Sequence, residues 1–219
     1  MTNHPDHLTM TPFYGFFDYL AANVFGMWFR GEVVGTENFP AQGPFLIASN
    51  HASHFDPFFV GCQVPRQLRF FARRSLWNNR FIAWWLDQVE VIPVERDSGD
   101  IGAIKRVLLA LRENRAVILF PEGTRSMDGH LQKPKAGVGL MACKTGVPVV
   151  PCRVYDSFAA FGKGSAVPRF GTPVTIVFGR PIPAGDYDDP ALGKARYEIA
   201  AQRIMDRIAA LPRPVYAVI

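Results

Sequence analysis

Three short apolar runs each stop at a cluster of chemically capable side chains: FLIAS at NHASHFD (50–56), VEVIPV at ERDS (95–98) and AVILF at PEGTRS (121–126). Runs this short suit strands better than helices. Further strands are expected over FRGEVVG (29–35), LRFFAR (68–73), VPVVPCRVY (147–155) and PVTIVFG (173–179). Between them, apolar residues recur at three- to four-residue spacing. The spacing predicts helices over 13–29, from Asp56 onward with Asp56 as N-cap and Pro57 at the first helical position, and over 76–88, 99–114, 135–146 and 190–211. Strand and helix alternate, so the fold is expected to be an α/β sandwich with a largely parallel mixed sheet. In open sheets of this kind, sites lie beyond the carboxyl ends of strands, so the three clusters are candidates for one cleft. The segment 157–171 is the one long loop and a candidate lid or rim.

With 219 residues, 48% of them hydrophobic and 20% charged, the chain can bury a sizeable core and carries no long disordered stretch. Cys62, Cys143 and Cys152 are odd in number and lack C-x-x-C spacing, which speaks for reduced, buried thiols rather than a disulfide scaffold or a zinc site. The net charge of +5 is unevenly placed. From Pro57 to Leu86 there is no acidic residue, while Arg66, Arg69, Arg73, Arg74 and Arg80 stand among eight aromatic residues. Arginine with tryptophan describes a surface at headgroup depth in a bilayer, or a core with a basic rim; no nucleic-acid motif accompanies it.

The chain opens without a secretory signal pattern. Its most apolar stretch, Phe13 to Phe29, would span roughly 25 Å as a helix, short of a hydrocarbon core of about 30 Å. Asp18 and Asn23 within it are costly at mid-membrane. An interfacial helix is expected instead, which divides the chain into an aromatic membrane-interface helix at 1–30 and a domain at 31–219.

The chemistry narrows by elimination. H-x-x-H-x-D superficially matches a metal motif, but only His130 lies downstream, too few for a ligand set. There is no G-x-S-x-G elbow for a serine nucleophile and no P-loop. General-base chemistry remains: a histidine held by a carboxylate on one ring nitrogen can take a proton with the other. His51 and Asp56, five residues apart across a strand-to-helix turn, have the spacing for it, and His54 points elsewhere. The same residues equally suit a capped loop. In the third cluster, Gly123 permits close backbone approach while Thr124, Arg125 and Ser126 offer donors for a phosphate, with Arg96 and Lys135 as further cations.

Taken in order, Asn50, His51, Ser53 and Asp56 (NHxSxxD), an arginine closing VIPVER, FPEGTRS, VPVVP and FGRPI resemble the glycerolipid acyltransferases typified by 1-acyl-glycerol-3-phosphate acyltransferase. The resemblance runs from about Gly31 to Pro183, and its first and third motifs are the specific ones. The chain departs from the family's second motif at Glu90, where glycine is frequent. The resemblance implies an O-acyltransferase of phospholipid biosynthesis with His51 and Asp56 as catalytic pair. It implies Arg96, Glu122, Gly123, Thr124, Arg125 and Lys135 at the acceptor phosphate, with Glu122 fixing its loop. Acyl-CoA or acyl-carrier protein would be the donor and a lysophospholipid the acceptor, with no metal and no other cofactor. The expected location is cytoplasmic, peripheral on the membrane face. Three alternatives stay open: another lysolipid acceptor such as lyso-ornithine lipid, a thioesterase-like hydrolase, and an inactive membrane-surface binding protein.

Overall fold

The computed structural model describes residues 10–94 and 101–214. Within these, the strands are β1 (Glu32–Val34), β2 (Phe45–Ser49), β3 (Leu68–Arg69), β4 (Phe71–Arg73), β5 (Ile92–Val94), β6 (Ala116–Leu119), β7 (Val149–Tyr155) and β8 (Thr175–Phe178). Six of them form one sheet in the order β1-β8-β7-β2-β6-β3, and β4 pairs with β5 separately. Pairing in the large sheet is parallel except between β7 and β8. The mixed, mostly parallel α/β sandwich read from the sequence is the fold observed.

β2 lies at the centre, between β6 and β7, with all five residues buried. Successive side chains leave a strand on opposite faces, and β2 serves both. Leu46 and Ala48 join one apolar cluster, Phe45 and Ile47 the other. Strand β6 divides likewise, Val117 and Leu119 against Ala116 and Ile118. A strand buried on both faces has no polar alternation to display, which is why FLIAS and AVILF read as continuous apolar runs. On the first face pack α4 (Ile101–Arg112), α5 (Ala136–Thr145) and α8 (Arg196–Ala209). Gly139 lets α5 meet α8 closely: a Cβ there would sit 1.9 Å from the Tyr197 carbonyl oxygen.

The second face is covered from the amino-terminal side. Thr11 caps α1 (Pro12–Asn23) by accepting from Tyr14 N–H, with Pro12 in the first turn. A π-helical turn, Val24–Trp28, follows and delivers Phe25 and Phe29 into the core beside Phe59 of α2 (Asp56–Gly61). The opposite side of the same segment carries Phe16, Tyr19, Met27 and Trp28 outward, all more than half exposed. No helix among the described residues is long and apolar enough to cross a membrane.

Several local expectations are corrected. LRFFAR is split by Phe70 into β3, in the large sheet, and β4, in the small one. The described part of VEVIPVER, through Val94, therefore supplies a strand of the two-stranded sheet, not of the main one. The segment from 76 begins as a 3-10 turn (Arg74–Asn78), and α3 (Arg80–Gln88) starts where the Asn79 side chain accepts from Phe81 and Ile82 N–H. The loop at 157–171 opens with a short helix, α6 (Ser157–Phe161). The tail expected at 190–211 begins as a 3-10 turn (Pro190–Ala195) broken at Gly193 and is α-helical only in α8, and a short helix, α7 (Ala184–Tyr187), stands before it.

At the end of β2 the chain must leave the sheet to form the loop at 51–55, and the ladder to β7 would stop at Ser49 opposite Cys152. Asn50 extends it with its side chain. Its Nδ2 donates to the Val154 carbonyl at 2.9 Å and its Oδ1 accepts from Val154 N–H at 2.7 Å. Asn50→Ala should leave both Val154 groups unpaired in a buried place, at a cost of about 2–4 kcal/mol. Urea unfolding followed by tryptophan fluorescence checks this, and a midpoint equal to the parent's would contradict the bridge.

Candidate active site

The loop after β2 is organised around one carboxylate. Oδ2 of Asp56, fully buried, accepts from Ala52 N–H and Ser53 N–H at 2.7 Å each and lies 3.0 Å from His51 Nδ1. Asp56 is thus the first residue of α2 rather than its N-cap; Phe55 holds that position, and the carboxylate reaches back to the loop it follows. The pairing at Nδ1 leaves Nε2 as the ring nitrogen available for proton transfer. The imidazole is 16% exposed and stacks on Phe120, ring centroids 4.1 Å apart.

The third cluster closes on this loop. Glu122 Oε1 accepts from His51 N–H at 3.2 Å, and Ser126 N–H donates to the His51 carbonyl at 2.8 Å. Both backbone groups of His51 are therefore held by FPEGTRS. Ser126 Oγ in turn accepts from Gly129 N–H, which shapes the following turn. On the other side, Ser53 Oγ donates to the Phe161 carbonyl and His54 N–H donates to the same oxygen, so α6 braces the loop. The His54 ring leans on Phe161 and is exposed, while Asp56 is paired with His51.

Cations gather beside the histidine. Burial and then the charge of Arg73 pull the Arg125 guanidinium below its ordinary value, with Asp56 opposing. Its Nη1 is buried without a hydrogen-bond partner among the described residues. The charge of Arg125 also helps, after burial, to lower His54. Gly123 has φ +68°, and the Lys135 chain passes over it: a Cβ there would meet Lys135 Cδ at 2.9 Å. Lys135 N–H donates to the Pro121 carbonyl, fixing that approach. Thr124 lies between Gly123 and Arg125, half-buried. His51, Asp56, Glu122, Gly123, Thr124, Arg125 and Lys135 are thus assembled around one loop pair. Arg96 lies outside the described residues.

Sequence reasoning passed over Asn50, Phe120 and Arg73 as site residues. Asn50 stood inside the motif, and an amide before a strand-ending histidine was its signal. Arg73 was one of five arginines in an acid-free stretch, and nothing local separated it from the others. The split of LRFFAR into β3 and β4 is what carries it toward Arg125.

A scan against known families matches the Acyltransferase model over residues 30–155, more than half of the chain. The chain belongs to the acyltransferase family. It is 28% identical over 71% of its length to the 1-acyl-sn-glycerol-3-phosphate acyltransferase of Bacillus subtilis, covering 75% of that protein. To the chloroplastic 1-acyl-sn-glycerol-3-phosphate acyltransferase BAT2 of Brassica napus it is 29% identical over 79% of its length, and it spans only 51% of that longer protein. The fold is that of the crystal structure of the 1-acyl-sn-glycerophosphate (LPA) acyltransferase PlsC from Thermotoga maritima, with a TM-score of 0.68 over 91% of this chain and 81% of that one, at 24% identity.

Glu90, the departure in the second motif, stands at φ +57°, in the left-handed region that glycine enters without strain. It is held there by an ion pair with Arg69 at 2.8 Å and by the Gln67 amide, which donates to Oε2 at 2.8 Å.

Behind α2 lies an apolar cavity of about 220 Å³. Its wall includes Pro57 and Ala72, the chain neighbours of Asp56 and Arg73, and extends to Tyr14 and Asp18 of α1. The cavity therefore begins one residue from the polar site.

Glu122, only 2% exposed, has its carboxyl pushed up to about 7 by burial, against the lowering effect of the His51 and Gln132 N–H groups. A carboxyl with a raised folded pKa binds its proton more tightly folded than unfolded. Its contribution to stability is therefore lost as pH rises from its unfolded value to about 7. Glu122→Gln keeps an oxygen to accept from His51 N–H and removes this loss. Relative to the parent, its urea midpoint should climb between pH 4.5 and 7.5; a constant difference would mean that Glu122 does not titrate there.

Proposed function

We propose that the chain transfers a fatty acyl group from a thioester, acyl-CoA or acyl-carrier protein, to the free hydroxyl of 1-acyl-glycerol-3-phosphate. One observation carries the reading: His51, paired through Nδ1 with a buried carboxylate, has its backbone clamped by the loop that also bears Arg125. The names of the similar proteins support the choice of acceptor.

Asp56 holds the imidazole so that Nε2 faces the acceptor hydroxyl. As the hydroxyl oxygen forms a bond to the thioester carbonyl carbon, Nε2 takes its proton. When the tetrahedral intermediate collapses, the carbon–sulfur bond breaks and the imidazolium returns the proton to the departing thiolate. No acyl-enzyme is formed. Much of the acceleration comes from holding the two substrates in line. Arg125, with Arg73 and Lys135, binds the acceptor phosphate, and Gly123 and Thr124 bring the backbone close to it. Arg96 is proposed as a further cation at this site. Glu122 acts on the acceptor indirectly, by setting the position of His51. The apolar cavity behind α2 holds a fatty chain whose head group reaches the polar site past Pro57 and Ala72.

His51→Ala should lower transfer by roughly 10²–10⁴-fold, the worth of a positioned base. Acyl-CoA turnover is to be followed with and without lysophosphatidic acid. Equal thiol release in both would mark a thioesterase, and near-parental turnover by the variant would sink the base assignment. Arg125→Ala removes a charge-assisted contact worth about 1.5–3 kcal/mol, so the apparent affinity for the acceptor should fall about ten- to hundred-fold while donor saturation stays unchanged. A change in donor saturation alone would place Arg125 on the other substrate.

The protein is further proposed to work at a membrane surface on its cytoplasmic face. Support comes from exposed Phe81 and Trp84 of α3, from exposed Phe16 and Tyr19 of α1, whose Phe13 packs on Trp84, and from exposed Arg73, Arg74 and Arg80 nearby in the chain. Basic residues add about 1 kcal/mol each near an anionic surface and are screened by salt; aromatic insertion is not. In flotation with anionic vesicles, salt should weaken binding without abolishing it, and Phe81→Ser with Trp84→Ser should release most of the protein. A parent that stays behind at low salt would refute the surface.

A further inference from the structure

The cavity behind α2 contains one group that an alkyl chain does not want to meet. Its lining is apolar almost throughout, from Phe17 and Ala21 of α1, Phe70 between β3 and β4, Phe71 of β4, and Trp85 and Leu86 of α3. Into this wall α1 sets Asp18, half-buried. The other titratable groups facing the cavity are Tyr14, on the same helix, and Cys62 at the end of α2. The wall segments from β4, the 3-10 turn, α3 and the start of β5 contribute only apolar side chains. No basic side chain lines the cavity among the described residues, so the acid has no cation to offset its charge there.

The neighbours register this. Asp18 raises both the Tyr14 hydroxyl and the Cys62 thiol, adding to the larger effect of burial on each. Burial also pushes Asp18 itself up to about 6. A chain entering the cavity would strip the remaining water from this carboxyl. That is expensive for a carboxylate and mild for the neutral acid.

We propose that Asp18 determines which chains the cavity admits: its carboxylate opposes an unsubstituted alkyl chain lying against α1, and its protonation admits that chain. The proposal rests on the reading that the cavity holds a fatty chain. Filling the cavity stabilises the proton on Asp18, so by linkage an unsubstituted chain binds more tightly as pH falls through about 6. None of the mechanistic groups lines the cavity, and Asp18→Asn keeps all of them, so any pH dependence they supply through a bound head group survives in that variant.

The test measures binding rather than turnover, which keeps the protonation of His51 out of the reaction rate. The probe is dibrominated oleyl sulfate, used below its micelle concentration. Its head group does not titrate, and its bromines quench nearby tryptophan, with Trp85 in the cavity wall. The full-length parent should bind the probe at least tenfold more tightly at pH 5 than at pH 8. Asp18→Asn, which keeps His51 and all the cations, should bind at pH 8 about as tightly as the parent does at pH 5, with less than twofold change between the two. Trp85→Phe should lose most of the quench. A parent affinity independent of pH, or the same pH dependence in Asp18→Asn, overturns the role of Asp18 while leaving the cavity's use intact. Quenching that is absent throughout, or undiminished in Trp85→Phe, overturns the cavity reading and the proposal with it.

Discussion

Three N–H groups converge on Oδ2 of Asp56, an oxygen with no access to solvent. An ionised carboxylate in such a place is tolerable only if hydrogen bonds replace the water it has lost. Two of the three donors are backbone groups of Ala52 and Ser53, so the loop must curl around the carboxylate to keep it buried. The third is His51, whose ring orientation follows from the same requirement. Loop shape, ring tautomer and the start of α2 are thus one solution to one desolvation problem. The surrounding contacts serve it: Asn50 anchors the loop's entry to β7, Phe161 braces its middle, and Glu122 and Ser126 grip His51 by its own peptide groups.

Charge around this centre is arranged by burial as much as by sequence. Arg73 is near enough to Arg125 to disfavour its charge, an arrangement that makes physical sense beside an anionic ligand. Glu122 stands on the same loop as Arg125, yet burial pushes its carboxyl up to about 7, so near that pH it subtracts less from the local positive potential than an exposed glutamate would. Its service is geometric. The same residue types on an open surface would largely cancel.

The aromatic residues divide along the two sides of one segment. Phe25 and Phe29 complete the core against Phe59, whereas Phe16, Tyr19, Met27 and Trp28 face outward. Composition alone presented a choice between core and membrane interface for these residues. The π-helical turn at Val24–Trp28 sends neighbouring side chains to the core and to the outer surface. One helix can therefore close the domain and still offer an apolar outer face.

Much of this was legible in the chain. FLIAS and AVILF are apolar without alternation because strands buried on both faces have no wet side, and this determined the layered α/β fold and its central strands. The five-residue spacing of His51 and Asp56 across a strand-to-helix turn, with FPEGTRS after another buried strand, marked out the candidate site. Tertiary structure alone decided the rest. It turned Asp56 from a helix cap into the acceptor that organises the loop, because the donors in reach were the N–H groups behind it. It moved Ile92–Val94 out of the main sheet, brought Arg73 to Arg125, and placed Asp18 in the wall of an apolar cavity. Those outcomes depend on contacts between segments far apart in sequence. Local periodicity records only which face of an element is apolar, not which partner will cover it.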